Sequence, residues 1–325
     1  MPSGEDDLIA RRFAPWAGPG ALGLRDDAAL IAPPPGAEIV LTVDAIVAGV
    51  HFFPDDPPAD IARKGLRVNL SDLAAKGAAP LGFLLTLALP GSWTEAQVAE
   101  FAAGLGDDAR DYGCALLGGD TVSTPGPLMV SITALGFVPA GRMIPRGGAG
   151  VGDAIYVSGA IGDAALGLLV LRGDPRVSGL TSEAKDDLIA RYRRPQPRTV
   201  LIHALRECAS AAMDVSDGLA GDLAKMLGLA GASAVVWAGE VPRSTAAEQA
   251  VDLRPELLPV LLTGGDDYEI LCAVPNDKTV RFEQVAGRAG VPVTRIGTAR
   301  RGGETTFLDA AGEAIRFQRA SWSHL

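Results

Sequence analysis

The chain is poor in cysteine, histidine and aromatic side chains: three Cys, three His and 5% Phe, Trp and Tyr in 325 residues. Cys114, Cys208 and Cys272 are odd in number and far apart, which excludes a disulfide framework and a Cys-x-x-Cys metal site. They are expected to be buried thiols. No apolar run reaches the ~20 residues needed to span a bilayer, and the best, 81–89, stops at Pro90. The acidic start, Met1-Pro2-Ser3-Gly4-Glu5-Asp6-Asp7, lacks the basic and apolar regions of a signal peptide, so a cytoplasmic location without membrane attachment is expected. Lys/Arg runs are missing as well, and 29 basic against 39 acidic side chains give a net charge of −10. That balance disfavours a nucleic-acid groove, which needs clustered cations. Neither a Gly-x-x-x-x-Gly-Lys-Ser/Thr loop nor a kinase glycine-rich loop occurs, so any nucleotide must be held by another scaffold.

What is present is a globular composition, 48% hydrophobic and 21% charged, long enough for two domains at ~150 residues each. Val/Ile/Leu-rich runs predict strands over 38–43, 81–89, 128–138, 154–158, 211–215, 269–274, 293–297 and 305–308. Residues 94–112 read as an amphipathic helix with Thr94 as N-cap and Val98, Phe101, Leu105 and Ala109 on one face; a second helix is expected over 60–76. Residues 139–152 hold five Gly and two Pro without apolar periodicity, the pattern of a linker. The domains are therefore drawn as 1–140 and 153–325 around a linker at 141–152. Residues 172–187 read as an exposed loop leading to another helix. Strands mixed with helices in both halves indicate an α/β or α+β fold.

The acids are 26 Asp against 13 Glu, and Asp is the residue of turns, caps and hard-metal sites. Six clusters set Asp beside Gly, Ser or Thr at an expected strand end or helix start: Asp26-Asp27, Thr42-Val43-Asp44, Ser71-Asp72, Gly118-Gly119-Asp120-Thr121, Asp214-Val215-Ser216-Asp217-Gly218 and Gly264-Gly265-Asp266-Asp267-Tyr268-Glu269. Asp72 alone falls within an expected helix. Taken singly, each cluster also reads as a turn or an N-cap. Together they point to converging carboxylates neutralised by a divalent ion, and an all-oxygen set selects Mg²⁺ or Mn²⁺ and suits phosphoryl transfer. Gly118-Gly119 would let backbone amides approach phosphates while Asp120 faces the metal.

In this order and spacing the clusters resemble the thiamine-monophosphate kinase family of the aminoimidazole-ribonucleotide-synthetase-like superfamily. The resemblance runs nearly end to end, from Gly4-Glu5 and Leu8-Ile9-Ala10-Arg11 through Asp44 to Val50-His51-Phe52, Val68-Asn69-Leu70-Ser71-Asp72, Arg146-Gly147-Gly148 and Gly265-Asp266-Asp267-Tyr268-Glu269. It implies a two-domain PurM-like kinase fold, with an N-terminal mixed-sheet α/β domain that binds ATP and Mg²⁺ and a C-terminal α+β domain. It further implies ATP-dependent phosphorylation of thiamine phosphate to thiamine diphosphate, by direct in-line transfer on several Mg²⁺ ions. Asp27, Thr42, Asp44, Asp72, Asp120, Asp214 and Asp217 match the family's metal ligands, with Asp44, Asp72 and Asp120 as the catalytic group. Gly119, Asp120, Arg146 and Ser216 match positions that contact ATP, and His51, Asp266 and Trp322 match positions that contact the substrate. A homodimer whose N-terminal strands meet is implied as well. Two positions depart from the family: Val43 replaces a usual Thr, and Asp266 replaces a common Glu. A phosphate acceptor, with a second pKa of ~6, is already ionised near neutrality, so the scarcity of histidine fits a reaction without a general base. The rival readings are a nucleotide- or metal-binding sensor with degenerate catalysis and another ATP-dependent member of the superfamily.

Overall fold

The computed structural model describes residues 7–321. The chain divides into two units, one made of the chain up to Leu73 with Ala78–Gly141, the other of Ala74–Gly77 with Arg142–Leu325.

The first unit is a four-stranded sheet of order β1-β4-β2-β3, with β1 Ala37–Val47, β2 Ala79–Pro90, β3 Ala115–Thr124 and β4 Met129–Pro139. β4 runs antiparallel to β1 and β2, whereas β3 is parallel to β2, and the crossover between that parallel pair is a helix. Helices α1, Pro58–Ala75, and α2, Glu95–Asp111, belong to this layer. α2 starts as its sequence predicts: Thr94 accepts the Gln97 amide and Gln97 returns to the Thr94 amide, a complete capping box. Val98, Phe101, Leu105 and Ala109 are buried on its inner face. α1 buries Ile61, Ala62, Leu66, Leu70 and Leu73 in the same core, against Val130, Ile132 and Ala134 of β4. This core covers one face of the sheet. On the other face Ile39, Leu41, Val43, Leu84 and Val122 are exposed, Leu41 and Val43 by 62% and 61%.

The second unit holds a six-stranded sheet of order β10-β7-β9-β5-β8-β6: β5 Ala154–Ser158, β6 Ala211–Asp214, β7 Ala232–Trp237, β8 Ile270–Val274, β9 Val293–Arg301 and β10 Thr306–Leu308. Every pair is antiparallel except β10 with β7. β5, β6 and β8 are buried along their whole length because cores lie on both faces. Ile155, Val157, Met213 and Leu271 enter one core, and Ala154, Tyr156, Ala212 and Cys272 enter the other. Strands covered on both sides read as unbroken apolar runs rather than alternating ones. Around the sheet stand α3 Asp163–Leu171, α4 Ser182–Arg193, α5 Ile202–Cys208, α6 Leu219–Gly228, α7 Thr245–Leu253, α8 Leu258–Thr263 and α9 Thr279–Arg288. Cys114, Cys208 and Cys272 are free and buried. Among the described residues no helix is long and apolar enough to cross a membrane.

Several sequence expectations shift. β3 and β7 were not anticipated: Gly118, Gly119 and Asp120 make β3 look like a loop, since all three are poor strand formers. α3 was missed because Ala164, Ala165, Leu166 and Gly167 are all buried and leave no polar face to set a helical period. Residues 182–187, expected as loop, already form the first turns of α4, where Thr181 caps the Ala184 amide. Residues from Arg142 onward are held on the second unit: Arg142 donates to the Arg206 carbonyl, and the Ala212 amide donates to the Pro145 carbonyl.

Candidate active site

Three groups of candidate residues are positioned by the fold, two in the first unit and one in the second. The first is a cleft of about 800 Å³ beside β3. Asp26 and Asp27, on the segment before β1, line it together with Gly118, Gly119, Asp120 and Thr121. Apolar Ile9, Phe13, Ile31, Leu116 and Leu117 line the same cleft. Asp27 and Asp120 are both exposed. Gly119 is required here, because φ is +154° and a Cβ would collide with the Leu85 carbonyl of the neighbouring strand. The glycine thus lets β3 stay paired while its backbone borders the cleft.

The second group lies between β1 and α1. Thr42 Oγ1 donates to Asp72 Oδ2 at 2.5 Å, and the Asp44 amide donates to Asn69 Oδ1 at 3.0 Å. Asn69 is buried and in turn donates to the Gly65 carbonyl at 2.9 Å, which fixes its amide orientation. Asp72 is on α1 as expected, but Asp44 lies inside β1 rather than at its end, since the strand continues to Val47. Alternation along β1 puts Thr42 and Asp44 toward the helices and Val43 toward the open face. Val43 therefore takes no hydroxyl away from the Thr42–Asp72 pair. Asp44 and Asp120 stand on the two outer strands, three strand spacings or about 14 Å apart. Within one chain the first unit does not bring them together. Just beyond β1, His51 Nδ1 accepts the Val47 amide at 3.0 Å, and the buried Lys64 ammonium donates to the His51 carbonyl at 2.8 Å. A neutral ring held this way carries its proton on Nε2.

In the second unit, the turn after β6 and the loop before β8 are laced together. The Asp266 amide donates to the Ser216 carbonyl at 2.9 Å, the Tyr268 amide to the Val215 carbonyl at 2.8 Å, and the Val215 amide to the Glu269 carbonyl at 2.8 Å. Asp214, Ser216, Asp217 and Asp266 are thereby gathered on adjoining turns. Asp266 and Tyr268 have φ of 71° and 51°, sparsely populated for residues with side chains, and such strain persists only where the surroundings over-determine it. Here they do. Asp267 accepts the Gly162 and Ala164 amides at the start of α3. Glu269, fully buried, accepts from Arg191 at 2.8 Å, Ser158 at 2.6 Å and Arg198 Nε at 2.6 Å. Burial pushes the Asp267 carboxyl well above the usual carboxylate range, and burial likewise raises Asp163, which accepts the Ser244 hydroxyl.

Ser216 and Asp217 owe their backbone positions to Asp222, whose Oδ2 accepts both amides at 3.1 and 3.0 Å. Burial raises the Asp222 carboxyl. Because the Ser216 amide is occupied, only its hydroxyl is left to reach a phosphate. Arg146 is exposed on the turn after Pro145, next to β6. Trp322 lies outside the described residues.

Sequence reasoning missed Asp222, Lys225, Arg191 and Arg198. A density signal was available for the last two, since four arginines fall within Arg191-Tyr192-Arg193-Arg194-Pro195-Gln196-Pro197-Arg198 and demand carboxylate partners. Among the described residues, no group of three or more His, Cys, Asp or Glu side chains is gathered closely enough to cage a metal ion. The donors are nevertheless all oxygen, and Mg²⁺ ordinarily takes one or two carboxylates together with waters and substrate phosphates, so these residues fit it.

Comparison with known proteins adds to this geometry. Residues 25–138 match the family model for AIR synthase related protein, N-terminal domain, and residues 150–309 match that for its C-terminal domain. A thiamine-monophosphate kinase from Caulobacter vibrioides is 42% identical over 99% of this chain and 91% of its own length. The crystal structure of thiamine-monophosphate kinase from Stenotrophomonas maltophilia is 38% identical with a TM-score of 0.80, covering 90% of this chain and 91% of that one. AaThiL complexed with AMPPCP and TMP is 25% identical with a TM-score of 0.79, covering 99% and 94%. Full-length identity on both AIR synthase related domains makes the assignment plain: the chain belongs to the thiamine-monophosphate kinase family.

Proposed function

We propose that this protein phosphorylates thiamine monophosphate to thiamine diphosphate with ATP, by direct in-line transfer on several Mg²⁺ ions. The observation that carries the reading is the β3 cleft, whose lining combines Asp27, Gly119 and Asp120 with the apolar Ile9, Phe13, Leu116 and Leu117. That mixture suits a nucleobase against the apolar groups and a triphosphate against Gly119 and the carboxylates with their metal ions. The relatives named thiamine-monophosphate kinase, and the related chain complexed with AMPPCP and TMP, support the same substrates.

In this reading Asp27, Thr42, Asp44, Asp72, Asp120, Asp214 and Asp217 hold the Mg²⁺ ions, and Asp44, Asp72 and Asp120 form the catalytic group. Bound Mg²⁺ supplies positive charge that lets two phosphate groups approach. Gly119 and Asp120 border the triphosphate, Ser216 donates to it through its hydroxyl, and Arg146 adds a planar, two-pronged donor. His51, through Nε2–H, and Asp266 orient thiamine monophosphate, with Trp322 as a further contact. No residue has to remove a proton, because the acceptor phosphate is already ionised.

The exposed apolar face of the first sheet supports a homodimer formed through that face. Leu41→Glu is expected to convert the dimer to monomer in sedimentation while the thermal midpoint of the monomer changes little, since Leu41 is already exposed within one chain. We place the protein in the cytoplasm, acting without nucleic acid or membrane.

The test is direct. Purified protein with ATP and Mg²⁺ should convert thiamine monophosphate to thiamine diphosphate with one ADP formed per product. Folded, nucleotide-binding protein that fails this assay would overturn the reading in favour of a sensor. ATP at about 100 times its Kd should stabilise the fold by ~2.7 kcal/mol. Equal stabilisation in chelator would contradict the role given to Mg²⁺.

A further inference from the structure

The turn after β6 carries a cation of its own. Lys225 Nζ lies 2.6 Å from Asp217 Oδ2 and 3.2 Å from Asp222 Oδ1. The three partners differ in freedom: the Asp222 side chain is wholly buried, whereas those of Lys225 and Asp217 are 43% and 36% exposed. Asp222 is a fixed anchor, because its other oxygen already takes the Ser216 and Asp217 amides. Three residues further along α6, Lys225 stands above it and leans onto Asp217. One oxygen of Asp217 is therefore covered by an ammonium group. An ammonium and a divalent ion on one carboxylate lie within a few ångströms of each other and repel strongly.

We propose that Lys225 is the resident counter-ion of Asp217 and competes with a divalent cation for its carboxylate. Entry of the ion requires the lysine to turn out to solvent, which its exposure allows, while Asp222 keeps the turn in shape. Lys225 is on this account a positioning residue that sets how readily the Asp217 position is loaded. The proposal rests on Asp217 being a metal ligand.

The experiment is Mn²⁺ titration by calorimetry on the nucleotide-free full chain, comparing the parent with Lys225→Met, Lys225→Arg, Asp217→Asn and the Lys225→Met/Asp217→Asn pair. Lys225→Met should bind Mn²⁺ about five- to tenfold more tightly, the scale of removing one partly exposed charge from beside a divalent ion. Lys225→Arg should stay near the parent, and the gain should vanish in the double variant. A lysine that merely supported the fold would give a loss on removal, never a gain. Unchanged or weaker binding in Lys225→Met, with Asp217→Asn weakened, overturns the counter-ion role alone. Unchanged binding in Asp217→Asn overturns the ligand reading, and the counter-ion role with it.

Discussion

Asp120→Asn is expected to lower kcat by at least about 10³-fold while the thermal midpoint stays close to that of the parent, measured by steady-state assay and by melting. The side chain is exposed on β3 where it lines the cleft, so its exchange for an isosteric amide disturbs no buried contact. What it removes is one negative charge from a hard-oxygen donor set, where an amide oxygen is a far poorer ligand for Mg²⁺. Catalysis of phosphoryl transfer is almost wholly positioning and charge neutralisation, so a missing ligand carries through to the rate. Near-normal turnover in Asp120→Asn would remove this residue from the catalytic group and leave the cleft as a binding site only.

The opposite signature is expected at Glu269. Glu269→Ala should destabilise the second unit by about 3–5 kcal/mol, because it strips the carboxylate from two largely buried guanidinium groups and leaves them unpaired. For a body of this size that amounts to a fall in thermal midpoint of roughly 10 °C. The loss should be local as well as global, since Glu269 anchors the loop in which Asp266 and Tyr268 hold left-handed backbone angles. Hydrogen exchange at the amides of Val215, Asp266 and Tyr268, which bind that loop to the turn after β6, should accelerate more than exchange in β5. A midpoint within 2 °C of the parent would show that the two arginines find other partners or solvent. Gly159 makes the same point from the other side: a Cβ there would strike the Glu269 carboxylate, so the space around the network is filled.

How legible these features were depends on whether the physics is local. α2 was readable because Thr94, Gln97 and the Val98–Phe101–Leu105–Ala109 spacing state its start and its inner face within seventeen residues. The aspartate clusters were readable for a similar reason, as short strings of residues poor in helix and strand propensity. β3 was not, since its pairing with β2 overrides the preferences of Gly118, Gly119 and Asp120. Nor were the roles inside the Gly264–Glu269 string. Asp266, Asp267 and Glu269 look alike in sequence, yet one sits on a strained turn, one caps α3 and one is locked between two arginines. Those differences arise from partners 50 to 111 residues away, such as Ser158, Gly162, Arg191 and Ser216. Asp222 was passed over for a related reason, because its function is to receive amides and not to present a charge.

The alternation along β1 also constrains the length of that strand. Thr42 and Asp44 meet α1 while Leu41 and Val43 look out from the uncovered face, so one strand serves two unrelated surfaces. A one-residue insertion before Leu41 would exchange the two surfaces, sending both oxygen donors outward and two bulky apolar groups against Asn69 and Asp72. A two-residue insertion would restore the faces but slide Thr42 one step past Asp72. In this stretch evolution is free to change side chains but not to count differently.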